Sequence, residues 1–126
     1  MQLAFHFNSG NGSFGVHLNA VGGNYFTWNL GDNTKAANSI VNNKNAGVGI
    51  TEAGSALVPG GDILNIENTT FASNKVGSDA HFAGDGLNVQ LAGSRVLTGH
   101  IYNSQFTNNA GDGASLNVTG NNLGVF

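Results

Sequence analysis

In the stretch "LNVQL" at residues 87–91, Leu87, Val89 and Leu91 alternate with Asn88 and Gln90, so an extended chain here has one apolar and one polar face. The same period of two runs through "ASLNV" at 114–118 and "GVHLNA" at 15–20. No segment holds a sustained apolar stripe at helical spacing. The pattern predicts an all-β protein of short strands joined by turns rich in Asn and Gly.

These strands repeat. "AGDGLNVQLAG" (83–93) aligns with "AGDGASLNVTG" (110–120) when Gly86 is set on Gly113, which places Leu87 with Ala114, Val89 with Leu116, Leu91 with Val118 and Gly93 with Gly120. Val96 then falls with Leu123. Upstream, "IENTTFASN" (66–74) aligns with "IYNSQFTNN" (101–109), pairing Ile66 with Ile101 and Phe71 with Phe106. The two spacings differ because "KVGSDAHFAGDG" is longer than "AGDG", as a loop insertion in one repeat requires.

Two fainter copies precede these. One offers Phe7, Gly15, Val16, Leu18 and Ala20; the other offers Ile40, Gly49 and Ile50, with Glu52 expected where Val89 and Leu116 stand. The reading is about four coils, each with a strand near "I-x-N-x-x-F", an Asn/Gly turn, a second strand after "G-x-G" and a variable return. Strands stacked about 4.8 Å apart set like residues in ladders, where Asn bonds to its own copy and Gly takes positive φ at corners. Asn74 with Asn109, and Gly93 with Gly120, are the expected stacks.

At these residues, "NTTFASN...GDGLNVQLAGSRV" and "NSQFTNNAGDGASLNV", the chain resembles the right-handed parallel β-helix repeat of pectin-lyase-like proteins and large secreted bacterial adhesins. The resemblance covers residues 36–126 well and 1–35 weakly. It implies a right-handed single-stranded parallel β-helix, or β-solenoid, of about four coils in one domain at 1–126, and an extracellular or cell-surface location. The family includes lyases, polygalacturonases, epimerases, phage tailspikes and non-catalytic surface proteins. Its catalytic members resemble one another in a cluster of Asp, often with Arg, Lys or His, on one strand face. "TGHIYNS" departs from that pattern, with Gly99-His100 but no following Gly and no paired carboxylates beside it.

Composition changes the picture in three ways. Only 9% of the 126 residues are charged and the net charge is -3, with Lys35, Lys44, Lys75 and Arg95 scattered, which excludes a basic nucleic-acid patch. Twenty Gly, a similar number of Asn and a single Pro suggest low complexity, but 40% hydrophobic residues at regular spacing argue for a packed core. The absence of Cys excludes disulfides and thiolate metal sites. No apolar stretch is long enough to span a membrane as a helix, and "MQLAFHFNSG" lacks the pattern of a signal peptide. The chain is either mature or cut from a longer protein, and its abrupt "NNLGVF" favours the second.

Candidate chemistry is sparse. Asp85 and Asp112 hold equivalent turn positions, where two carboxylates one rung apart would take a hard cation such as Ca²⁺, or would simply bond the turn backbone. The insert places Asp79, His81 and Asp85 in one loop, a set able to move a proton or hold a metal if its geometry were fixed. Arg95, near His100, is a candidate base or carboxylate clamp for a uronate, and otherwise covers an apolar edge; Glu52 and Glu67 lie on earlier coils. Outward positions His17, Thr51, Asn88 and Ser115, with Asn19, Gln90 and Asn117, form a polar ladder suited to glycan hydroxyls. Only Tyr25, Trp28 and Tyr102 offer aromatic support. The glycosylation patterns at Asn11, Asn68 and Asn117 are expected by chance in so Asn-rich a chain.

The leading expectation is therefore a non-catalytic structural or adhesive module with no cofactor. The alternative is a polysaccharide-active or glycan-binding β-helix using Asp79, His81, Asp85, Arg95 and Asp112. Neither end reads as a cap, since Leu3, Phe5 and Phe7 alternate inward and the chain closes on Val125 and Phe126. The expected partner is a copy of the chain stacked end to end into filaments, or flanking coils of a longer parent.

Overall fold

The computed structural model describes residues 2–3, 8–21, 26–54, 61–94, 96–120 and 123–125. Strands and turns account for them, and no helix occurs among the described residues. Arg95, Phe5, Phe7, Tyr25 and Phe126, and the side chains of Leu3 and Val125, lie outside the description.

Successive strands are dealt in rotation to three sheets. The first takes β1 (Gln2–Leu3), β4 (Thr27–Leu30), β7 (Asp62–Glu67), β10 (Val96–Tyr102) and β13 (Leu123–Val125). The second takes β2 (Asn8–Ser9), β5 (Asn38–Val41), β8 (Thr69–Ala72) and β11 (Gln105–Thr107). The third takes β3 (Val16–Val21), β6 (Ala46–Ala53), β9 (Asp85–Gly93) and β12 (Ala114–Gly120). Each strand pairs in parallel with the strand three places on. Parallel neighbours need a crossover, and here the other two strands of the triplet supply it in place of a helix.

The registers join the positions aligned from sequence. Ile66 pairs with Ile101, Phe71 with Phe106, Val89 with Leu116, Gly93 with Gly120 and Val96 with Leu123. Inward residues of all three sheets form one cluster: Leu30, Ile66 and Leu97 from the first, Ile40 and Phe71 from the second, Val48, Ile50, Leu87 and Val89 from the third. Phe71 is fully buried and its ring stacks on that of Phe106 at 4.7 Å. Along β3 buried and exposed residues alternate, so the pleat alone sorts apolar side chains inward, whereas along β9 the polar Asn88 on the other face is buried as well.

Three details differ from the sequence expectation. The "I-x-N-x-x-F" segment is two strands of different sheets, bent at Asn68 and Asn103, each with φ of 48°. Asn tolerates this left-handed conformation, so the Asn marks a corner rather than the middle of a strand. The variable return, in turn, contains the first-sheet strands β4, β7 and β10. The register of the second copy also moves by two residues: Ile50 pairs with Val89, and Glu52 with Leu91 and Ala20. Thr51 accordingly joins the column of Asn19, Gln90 and Asn117, while Gly49 takes the place beside His17 and Asn88.

A steric reason selects Gly47, not Gly49, as the counterpart of Gly86. A Cβ added to Gly15, Gly47 or Gly86 would lie 2.6 Å from the carbonyl oxygen of Gly47, Gly86 or Gly113 respectively. The chain approaches its next copy too closely there for any side chain. Gly86→Ala is expected to lower stability by about 3 kcal/mol in guanidinium unfolding, because the obstacle is backbone and two triplets must part. A loss under about 1 kcal/mol would show that this approach is looser than described.

Beside the glycines runs a ladder of amides. Asn11 Nδ2 donates to Asn43 Oδ1 (2.8 Å), Asn43 Nδ2 to Asn74 Oδ1 (3.2 Å) and Asn74 Nδ2 to Asn109 Oδ1 (2.8 Å). The backbone N–H groups of Asn11, Asn43 and Asn74 donate to the same oxygens. Every rung points its donors toward the later triplet, so the ladder has a direction. The corner residues just before it, Asn42, Ser73 and Asn108, have φ between 52° and 57°.

Candidate functional site

The insert at 75–84 between β8 and β9 holds the densest polar cluster of the sequence expectation. Asp79 donates its N–H to Asn45 Oδ1 (3.0 Å) and accepts the His81 N–H on Oδ1 (3.0 Å). The His81 carbonyl accepts Asn88 Nδ2 (3.0 Å) and Gln90 Nε2 (3.2 Å), while the imidazole side is exposed. The loop is thus tied to β9 through backbone atoms. Phe82 anchors it from the apolar side, edge-on to Phe14 at 4.6 Å, and Phe14 stacks on His17 at 4.5 Å.

Asp85 is buried and accepts from one main-chain and one side-chain donor. Its Oδ1 accepts the N–H of Asp112 (2.7 Å), and its Oδ2 accepts Asn88 Nδ2 (2.5 Å). The two aspartates are brought together, but the contact runs from the Asp85 carboxylate to the Asp112 main chain, and Asp112 itself is exposed. A carboxylate used in this way replaces a strand bond at the turn entering β12. Among the described residues no group of three or more His, Cys, Asp and Glu side chains gathers at metal-binding range.

Other candidates scatter. His100 is exposed on β10, and Glu67 accepts the Asn33 side-chain amide (3.0 Å). Glu52 is fully buried on β6. Trp28 is buried and stacked with Phe26, so it offers no sugar platform, whereas Tyr102 is exposed. Asp32, exposed in the turn before β5, has its carboxyl held below the usual range by the Thr34 hydroxyl first and the Thr34 N–H second. A depressed carboxyl stabilises above its ordinary range and loses that effect as pH falls through its folded value, so this turn tightens at neutral pH and loosens in acid.

The outer face of the third sheet contains a run of amides. Asn117 Nδ2 donates to Gln90 Oε1 (3.0 Å), and Gln90 Nε2 donates to Asn88 Oδ1 (2.7 Å). The Phe14, His17 and Phe82 group on the same face was not anticipated. Its signal in the sequence is Gly49: a Cβ there would lie 2.6 Å from Phe14 Cε1, so the missing side chain is the seat of the ring.

The remaining feature is apolar. Leu87, Val89, Ile101, Ala114, Ser115 and Leu116 line an opening of about 260 Å³ at the β10–β12 end. Leu116 is 42% exposed and Ile101 38%, although their counterparts Val89 and Ile66 are buried. Compared with protein-family models, curated proteins and solved structures, the chain matches none.

Proposed function

We propose that this chain is a right-handed β-solenoid acting as a non-catalytic structural or adhesive module outside the cell or on its surface. The observation that carries the reading is the register: like residues of successive triplets stack on one another, from the Asn ladder through the inward apolar columns. Repetition of that kind serves stiffness, because each triplet gains its stability from its neighbours. The surface location and the adhesin-like role rest on the family resemblance.

The polysaccharide-active alternative needs several acid–base or cationic side chains around one sugar. Asp79 instead accepts a hydrogen bond within its own loop, Asp85 accepts from Asn88 and from the Asp112 N–H, and His81 and Asp112 enter through main-chain groups. Incubation with uronate-rich and neutral polysaccharides is expected to release neither unsaturated products nor reducing ends. Turnover that disappears in His81→Ala would overturn the structural reading. Ca²⁺ and chelator are expected to leave the thermal midpoint unchanged, since Asp85 is already bonded to protein donors; a rise with Ca²⁺ would establish a cation site at Asp85 and Asp112.

A further inference from the structure

The outer face of the third sheet runs along the side of the stack, and its side chains stand in columns set by the register. Asn19, Thr51, Gln90 and Asn117 follow one another in one such column. Neighbouring strands lie about 4.8 Å apart, so these four groups mark a line about 14 Å long, a length that suits an extended chain rather than one small molecule. No Asp, Glu, Lys or Arg stands at an outward position of these strands, since Glu52 is fully buried and Asp85 is buried at the head of β9. Beside the column, two residues along β3 from Asn19, the exposed His17 stacks its imidazole on Phe14.

The side chains of the column differ in what they have left to offer. Gln90 is committed to the protein: its Nε2 donates to Asn88 Oδ1 and to the His81 carbonyl, and its Oε1 accepts Asn117 Nδ2. Those bonds hold the Asn117 amide in place while its Oδ1 takes no protein donor. The side chains of Asn19 and Thr51 bond to no other residue, and Asn19 and Asn117 are exposed with Thr51 half-buried. An amide already fixed by its neighbours gives up little freedom when a ligand arrives.

We propose that this face holds a neutral, extended polysaccharide lying along the stack, with Asn19, Thr51 and Asn117 bonding to its hydroxyls and the His17–Phe14 pair against the C–H side of one ring. This rests on the adhesive reading above and names what is held and where. An amide or hydroxyl side chain both donates and accepts, as a sugar hydroxyl does. The same face gives no countercharge to the phosphate, sulfate or carboxylate groups of a polyanion. A protein partner would call for an apolar centre, and this column is polar throughout.

Affinity electrophoresis tests the proposal in native gels containing hydroxyethylcellulose, galactomannan, xyloglucan or dextran, with polygalacturonate as the acidic counterpart. Wild-type chain is expected to be retarded by at least one of the neutral polymers and less by polygalacturonate. The double variant Asn19→Ala/Thr51→Val changes no charge and breaks no bond within the protein, so its mobility in plain gel stays as it is. Its affinity for the retarding polymer is expected to fall about tenfold or more, the loss of two hydrogen bonds. Ser39→Ala/Thr70→Val, on the outward side of the second sheet, is expected to bind as wild type. Retardation by none of the neutral polymers, stronger retardation by polygalacturonate, or equal losses in the two double variants would each overturn the proposal.

Far-UV circular dichroism and a reducing-end assay on the same samples separate the failures. A chain with a β spectrum that no neutral polymer retards loses the glycan site and keeps the structural reading. Reducing ends released from a retarding polymer overturn the non-catalytic reading and keep the site. A wild-type chain without a β spectrum overturns both.

Discussion

Phe71→Ala is expected to lower the unfolding free energy by about 4 kcal/mol, the upper part of the range for removing a buried aromatic ring. Phe71 is the largest of the fully buried side chains, paired across the second sheet with Ile40 on one side and stacked on Phe106 at 4.7 Å, with ring planes 3° apart. The second-sheet strands are three or four residues long apart from the two-residue β2, so few neighbouring side chains are available to close the gap. Guanidinium unfolding gives the loss directly. Because stability here passes between nearest neighbours, hydrogen exchange should quicken most in β5, β8 and β11. A change below about 1 kcal/mol would mean that the ring does not hold the second sheet to the core.

Asn74→Ala is expected to cost a similar amount, about 4 kcal/mol, for a different reason. Asn74 is buried, and its Oδ1 receives both the N–H and the Nδ2 of Asn43 while its Nδ2 serves Asn109 Oδ1 and the Ile40 carbonyl. Alanine removes all four bonds from a site that water does not reach, and each buried group left without this partner costs about 1–3 kcal/mol, not fully additively. Asn11→Ala, at the exposed end of the same ladder, is expected to cost well under half as much, since solvent replaces part of what is lost. Equal losses at the two positions would show that the ladder does not derive its strength from burial.

Much of this architecture was legible along the chain. Alternation in "LNVQL" placed Leu87, Val89 and Leu91 inward, and the paired "GDG" motifs set β9 on β12 in the correct register. The corners were harder. Asn68 looked like the middle of a strand because its neighbours are β-forming, yet its φ of 48° turns the chain from the first sheet into the second. In "AGVGIT" the sequence reading set Gly49 and Ile50 on Gly86 and Leu87, whereas Gly47, two residues earlier, takes that place in the structure. The close approach at Gly47 and the ring seated on Gly49 decided between them.

By itself, then, the sequence determined which residues face inward and which copies stack, because a period of two and a long-range repeat are properties of the string and survive in any fold that buries one face. The roles of the polar residues were left to tertiary structure. Asp85 could be read as a ligand, a base or a turn former until its Oδ1 was placed on the Asp112 N–H, 27 residues away. Whether a carboxylate is available for chemistry depends on which donors from distant triplets reach it, and no local pattern encodes that distance.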